Sequence, residues 1–383
     1  MKLRLPVLGV AGAAATLLVG AVSVSAGATA NNGSRASLRS LAAETGLRIG
    51  TAVTPFELNT PAYTKITGDQ FSVVTPGNEM KWQVVEPTQG TYDWSAADRL
   101  VTFAQQHGQL VRGHVLLWHN QLPDWLTSGV ANGTIDDVQL RNLLHKHITD
   151  EVTHFKGKIW QWDVANEFFT DSNPSTINPN DFWISHLGTG IIADAFRWAH
   201  AADPHALLFY NDYNIAGEDG SNAKSDAAFA FVQQLRAQDV PIDGVGDQGH
   251  LDTQYGFPTL MTQDLQRFGT AGFKVAITEA DVRTFVETTD ANQTPTDNLA
   301  LFAQPYEYDQ MLKACLAVRQ CISFTVWGFG DADSWIPGFF TGEGYADIYD
   351  VNLNPKPAYT ALQQDLTLAA RGAPHRSGTG AHS

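Results

Sequence analysis

The sequence predicts one catalytic domain built as an α/β (β/α)8 TIM barrel, and three observations lead there. Short β-rich runs alternate with amphipathic helical stretches along most of the chain, the pattern of repeated βα units around a parallel sheet. The runs number eight, which suits closure; an open doubly wound sheet, the alternative, usually carries fewer strands. Polar and aromatic residues gather where these runs end, and a barrel of this kind keeps its chemistry at that face.

Taken in order, the chain opens with Lys2 and Arg4, an apolar stretch over 7–24, and two small-residue cleavage sites, Val24-Ser25-Ala26 and Ala28-Thr29-Ala30. Residues 1–30 therefore read as a secretory signal peptide, with a membrane anchor as the alternative. The predicted strands cover 49–53, 71–75, 110–118, 159–164, 207–211, 244–248, 274–278 and 322–327. The clearest helical patterns cover 96–107, 138–154, 193–202, 226–237 and 306–318. Residues 37–366 are expected to form the barrel. The tail at 371–383 is rich in Gly, Ser and His and is expected to be disordered.

Composition narrows the partners. With 43% apolar and 17% charged residues among 383, the mature chain reads as a soluble globular protein with no membrane partner after signal removal. Its 24 Lys+Arg against 40 Asp+Glu give a net charge of −16, so nucleic acid and anionic lipid would be repelled by the average field. Two cysteines exclude a disulfide-dense scaffold or a cysteine-built zinc module. Cys315 and Cys321 bracket the turn from the seventh helical stretch into the eighth strand. In a secreted protein that distance favours a disulfide, with two buried thiols as the alternative.

Two patterns are decoys. Gly244, Gly246 and Gly249 satisfy G-x-G-x-x-G after a strand, but no helix opens there and Pro258 follows soon, so no dinucleotide site is expected. His145, His147 and His154 share one helical stretch, yet His145 and His147 point to different faces. Neither a cofactor nor a metal is expected.

The strand ends carry the chemistry. The second run leads into Asn78, Glu79, Lys81 and Trp82, and the third carries His114, Trp118, His119 and Gln121. The fourth reaches Asn166-Glu167, the sixth Gln248 and His250, the seventh Glu279 and Asp281, and the eighth Trp327, with Trp335 in its loop. Any one of these suits a capped loop or a surface carboxylate; six strand ends so furnished do not. Glu167 and Glu279 each follow an apolar strand, and two carboxyl groups with aromatic neighbours are the equipment of glycosidic hydrolysis.

These residues fall into motifs that resemble the family-10 glycoside hydrolases, typically endo-β-1,4-xylanases, over roughly residues 37–366. The motifs are Asn-Glu-Met-Lys-Trp (78–82), Arg-Gly-His-Val-Leu-Leu-Trp-His-Asn-Gln-Leu-Pro (112–123), Trp-Asp-Val-Ala-Asn-Glu (162–167) and Tyr-Asn-Asp-Tyr-Asn (210–214). Gly-Val-Gly-Asp-Gln-Gly-His (244–250), Ile-Thr-Glu-Ala-Asp (277–281) and Ser-Trp (334–335) complete the set. The resemblance implies a retaining enzyme on a (β/α)8 barrel, with Glu167 as acid/base and Glu279 as nucleophile. It implies that Asn166 bonds the 2-hydroxyl of the attacked sugar, and that His250, backed by Asp281, orients the nucleophile.

Asn78, Lys81, His114, Trp118, Gln121 and Gln248 match substrate-binding and supporting positions, and Trp327 and Trp335 match an aromatic wall around the scissile bond. Retention requires the two carboxyl groups about 5–5.5 Å apart. Glu167 must begin protonated beside an ionised Glu279, and becomes the base once the nucleophile's charge is lost to the sugar ester. The expected partner is plant xylan, and the enzyme is expected to act extracellularly as a monomer.

Two departures bear on substrate. Glycine stands at 77 where the family usually has glutamate, and Ile336 follows Ser-Trp where it often has arginine. The first is expected to cost one sugar contact and weaken use of short oligosaccharides, unless a neighbouring loop supplies a replacement group. Action on mixed glucans, cellobiosides or a tomatine-type saponin is the alternative within the family. A non-catalytic carbohydrate-binding barrel is the alternative outside it, and the presence of Glu167, Glu279, Asn166 and His250 speaks against it.

Overall fold

Among the described residues ten strands form in chain order: β1 (Arg48–Val53), β2 (Val73–Pro76), β3 (Leu110–Leu117), β4 (Gln161–Asn166), β5 (Leu207–Asp212), β6 (Gly244–Asp247), β7 (His250–Asp252), β8 (Lys274–Phe285), β9 (Cys321–Val326) and β10 (Glu343–Gly344). Strands β1 to β6 pair in parallel, each with the next; β6 pairs with β8, β8 with β9, and β9 returns to β1. Eight parallel strands thus close a barrel, as the alternation of runs predicts. In this computed structural model the described residues are 36–372 except Asp219. The expected signal segment at 1–30 lies outside them.

Helices Pro61–Gln70, Ser95–Gln106, Asp137–His154, Gly190–Ala202, Ala223–Ala237, Met261–Thr270, Ala300–Ala317 and Pro357–Gly372 follow successive barrel strands. With barrel interior on one side and helices on the other, β2, β4 and β6 are buried at every position. The helix Ser95–Gln106 shows how the pattern works: Ala97, Leu100, Val101 and Ala104, spaced three and four apart, are its buried stripe. At the start of Asp137–His154, Asp136 accepts from the Gln139 N–H at 2.8 Å while Gln139 Oε1 accepts from the Asp136 N–H at 2.9 Å. That reciprocal cap satisfies two N–H groups the helix itself leaves open.

The structure departs from the sequence reading in several places, among them the second strand, which begins at Val73 rather than 71. The fourth strand begins later than predicted and runs through Asn166. The seventh does not stop at 278: β8 continues to Phe285, so Glu279 and Asp281 lie within a strand. Its extension is held by β7 in parallel and by β10 in antiparallel pairing. The helix expected from 306 begins at Ala300 and contains Pro305; a proline in the second turn removes a single hydrogen bond, which the helix tolerates. The last helix takes in Arg371 and Gly372, which corrects the start of the predicted tail; 373–383 lie outside the described residues.

Cys315 and Cys321 are joined in a disulfide with Cα atoms 5.4 Å apart, stapling the end of Ala300–Ala317 to the first residue of β9. Closing so short a loop stabilises by about 2–3 kcal/mol. Cys315→Ser/Cys321→Ser is accordingly expected to lower the denaturant midpoint with an unchanged m-value, measured by urea titration. An unchanged midpoint refutes this.

Candidate active site

The C-terminal ends of the barrel strands open into a cleft of about 870 Å³ lined by residues from nearly every strand end. Glu167 follows β4 directly, in the left-handed backbone region (φ 60°), with its N–H bonded to the Asn211 carbonyl at 3.0 Å. Such a conformation is uncommon for a residue other than glycine and marks a constrained position. Its carboxylate accepts from Trp118 Nε1 and Gln248 Nε2, each at 2.8 Å. Both donors are neutral.

Glu279 on β8 is buried and sits among cations. Its Oε1 accepts from Arg112 Nη2 at 3.1 Å and Asn211 Nδ2 at 2.9 Å; His250 Nε2 is 3.5 Å from Oε2. Burial alone would raise its pKa, but the His250 hydrogen bond and the charges of His114, Arg112 and His250 outweigh it and hold the group well below the usual carboxylate range. Glu279 is therefore ionised at any pH the protein would meet in use.

His250 Nδ1 lies 2.9 Å from Asp281 Oδ2. Burial pulls the imidazole down, yet Asp281 and Glu279 push its pKa up to about 10. The doubly protonated ring thus has an N–H for each carboxylate, as the spacing of Glu279 and Asp281 predicts. The stabilisation this gives the fold is complete below about pH 6.5, the ordinary histidine value, and is lost as pH rises through about 10. Gly249 makes the arrangement possible. With φ 74° and Ile277 Cγ2 only 3.1 Å from where a Cβ would stand, it turns the chain so that Gln248 reaches Glu167 and His250 reaches Glu279.

Asn166 completes the inner shell. Its Oδ1 accepts from Asn211 Nδ2 at 2.8 Å and Gln248 Nε2 at 3.4 Å, while its buried Nδ2 has no partner among the described residues. Asn211 is oriented in turn by the Thr278 hydroxyl, which donates to its Oδ1 at 2.7 Å. Further out, Lys81 Nζ and Gln121 Nε2 both donate to Asn78 Oδ1 at 3.1 Å. Burial lowers the Lys81 ammonium against the pull of Glu279, Glu167 and Glu79. Trp327 packs edge-on to His114 at 5.2 Å, and Trp335 donates through Nε1 to Asp281 at 2.8 Å. Of the residues singled out in the sequence from Asn78 to Trp335, all but Trp82 line this cleft or bond to groups that do; Trp82 is buried and gives its indole N–H to Glu86.

Four contributors escaped the sequence reading: Arg112, Asp163, Asn211 and Thr278. Arg112 crosses the barrel from β3 to bond the Thr278 carbonyl on β8 at 2.8 Å, and pairs with Asp163 on β4. His114 Nδ1 also meets Asp163, at 2.9 Å. The signal was present: Arg112 and Asp163 are opposite charges at buried positions of neighbouring strands, and a buried charge must find a partner. Among the described residues, His114, Asp163 and Glu279 also have the spacing to hold a metal ion. The Arg112 guanidinium already bonds both carboxylates, so a fixed cation occupies that role.

Residues 37–365 match the sequence profile of glycosyl hydrolase family 10. The chain belongs to that family. Among its family-10 relatives, endo-1,4-beta-xylanase C of Phanerodontia chrysosporium is 39% identical over 333 residues, covering 86% of this chain and 79% of the relative. An endo-1,4-beta-xylanase of Agaricus bisporus is 38% identical, over 85% of this chain and 93% of the other. Native xylanase 10B from Thermotoga maritima superposes with a TM-score of 0.80 at 34% identity, over 88% of this family-10 chain and all of that one. Xylanase 10B from Thermotoga petrophila RKU-1, solved in complex with xylobiose, gives 0.79 at 35% identity, over 87% and 98% of the two chains.

Proposed function

We propose that this glycoside hydrolase is a secreted, monomeric endo-β-1,4-xylanase that cuts xylan internally with retention of configuration. The observation that carries the reading is the asymmetry of the two carboxyl groups: Glu279 lies among Arg112, His250 and Asn211, whereas the hydrogen-bond partners of Glu167 are the neutral Trp118 and Gln248. A charged environment keeps a nucleophile ionised; a neutral one lets a carboxyl group carry and return a proton. The names of the relatives and the xylobiose-bound structure support xylan as substrate.

In the first step Glu167 gives its proton to the glycosidic oxygen as the bond to the anomeric carbon breaks, and Glu279 forms an ester with that carbon. Oε1 of Glu279 accepts from two donors and Oε2 faces His250 Nε2 at 3.5 Å, so the carboxylate is held in place for the attack. The free Nδ2–H of Asn166 donates to the hydroxyl beside the anomeric carbon, a bond that strengthens as positive charge develops there. In the second step Glu167 takes a proton from water, the water oxygen bonds the anomeric carbon, and Glu279 leaves as carboxylate. No step calls for a cofactor. Secretion rests on the signal-like residues 1–30, the domain limits on 37–366, and the closed outer ring of helices accords with action as a monomer. No described helix is long and apolar enough to cross a membrane.

Incubation with xylan, carboxymethyl-cellulose and tomatine side by side tests the substrate. Short β-1,4 xylo-oligosaccharides are expected from xylan, with the β-anomer first in the proton NMR spectrum. Products dominated by glucose oligomers would sink the xylanase reading, and an α-anomer appearing first would sink retention.

A further inference from the structure

We infer that Glu57 is a specificity-determining residue of the cleft, a carboxylate that accepts hydrogen bonds from the hydroxyls of a sugar lying beside Gly77. The inference rests on the xylanase reading above and adds a residue to its binding surface.

Gly77 follows β2, where its N–H bonds the Val53 carbonyl at 3.0 Å and ties the ends of β1 and β2 together. Nothing there requires glycine. A Cβ would meet Thr54 Cγ2 at 3.4 Å and the Val53 carbonyl oxygen at 3.7 Å, both ordinary contacts, and the backbone is outside the left-handed region. The missing side chain leaves a hollow in the cleft wall, and Thr54, the neighbour bordering it, holds Glu57.

Glu57 lies in the short turn Glu57–Asn59 after β1 and lines the same cleft as Gly77, Asn78 and Lys81. Its Oε2 accepts from the Thr54 N–H at 2.7 Å, and the Thr54 hydroxyl is a second hydrogen-bonding neighbour of the carboxylate. Burial, with the charges of Asp333 and Glu79 added, raises its pKa to about 7; Tyr63, on the adjacent helix, gives its hydroxyl to Asp333 at 2.7 Å and none to Glu57. A half-buried carboxylate whose donors both come from one threonine, with two acidic neighbours, is short of donors, and sugar hydroxyls are donors. Glu57 is tied through Thr54 to the cleft wall at Gly77 and is not a hydrogen-bond partner of Glu167 or Glu279, which sets it apart from the sugar under attack. It therefore reads a substrate longer than one sugar.

The bland role for Glu57 is to cap its own turn, since its N–H also approaches Thr54 Oγ1 at 3.5 Å. Glu57→Gln separates the two roles, because glutamine keeps an acceptor for the Thr54 N–H and loses only the charge. The measurement, made at pH 8 so that Glu57 is ionised, is kcat/KM on xylotriose divided by that on an aryl β-xyloside, which carries a single sugar. Glu57→Gln is expected to lower this ratio about ten- to hundredfold, the range for a hydrogen bond to a charged group. Gly77→Glu is expected to lower it too, by bringing a second carboxylate into the hollow, and Glu57→Gln/Gly77→Glu to restore it above either single variant. An unchanged ratio in Glu57→Gln, or improved xylotriose use in Gly77→Glu with Glu57 in place, overturns the assignment. Failure of the xylanase reading would look different: the unmodified enzyme would release no xylo-oligosaccharides.

Discussion

Glu279→Ala is expected to abolish hydrolysis of xylan and of activated aryl β-xylosides alike, a fall in kcat of about five to six orders of magnitude, the scale of losing a nucleophile outright. A good leaving group does not help, because no carboxylate remains to trap the anomeric carbon. Arg112, His250 and Asn211 are then left facing a cavity, so circular dichroism and the denaturant midpoint should be recorded beside the kinetics. Residual turnover of an activated xyloside within about a hundredfold of the parent enzyme would show that the nucleophile is another group.

Glu167→Ala is expected to behave differently. On xylan, whose leaving group must be protonated, activity should fall by about three to four orders of magnitude, the upper range for a general acid. On a dinitrophenyl xyloside the first step should proceed nearly unchanged and the sugar ester accumulate, giving a burst followed by slow turnover. Azide, which needs no base, should restore turnover and yield the β-xylosyl azide. Identical behaviour of the two alanine variants would reject the division of labour between Glu167 and Glu279.

Much of this site was legible in the sequence because the barrel brings its chemistry to predictable positions. The run ahead of Glu279 is apolar and β-branched, and that ahead of Glu167 carries Ile159, Trp162 and Val164, so each carboxylate is marked as the residue where a strand reaches the open face. The spacing of Glu279 and Asp281 predicts that they point the same way, and His250 between them matches that reading. What stayed hidden depends on contacts between distant segments. Nothing local to 274–285 signals that β8 continues past Thr278, since the strand is held by residues about thirty positions before it and sixty after it. Asn211 looks like any polar residue at a strand end until Thr278 fixes its amide and Asn166 and Glu279 share its N–H groups. Trp82 shows the converse: it follows Lys81 in a site motif, yet it is buried, stacked on His147 at 4.0 Å and on Trp183 at 5.8 Å. Adjacency in sequence put it near the cleft; its size put it in the wall behind.

The two cations nearest Glu279 each own a second, permanent anion: Arg112 has Asp163, and His250 has Asp281. A hydrolase working by double displacement must discharge its nucleophile and recharge it in every cycle. Were Glu279 the sole counterion for either cation, forming the ester would strand a positive charge in a dry interior, a penalty of several kcal/mol loaded onto the intermediate. Asp163 and Asp281 act as ballast against that swing. The floor of the cleft can lose and regain a whole elementary charge while every remaining ion keeps its mate, and the scaffold has no electrostatic reason to rearrange between the two halves of the reaction.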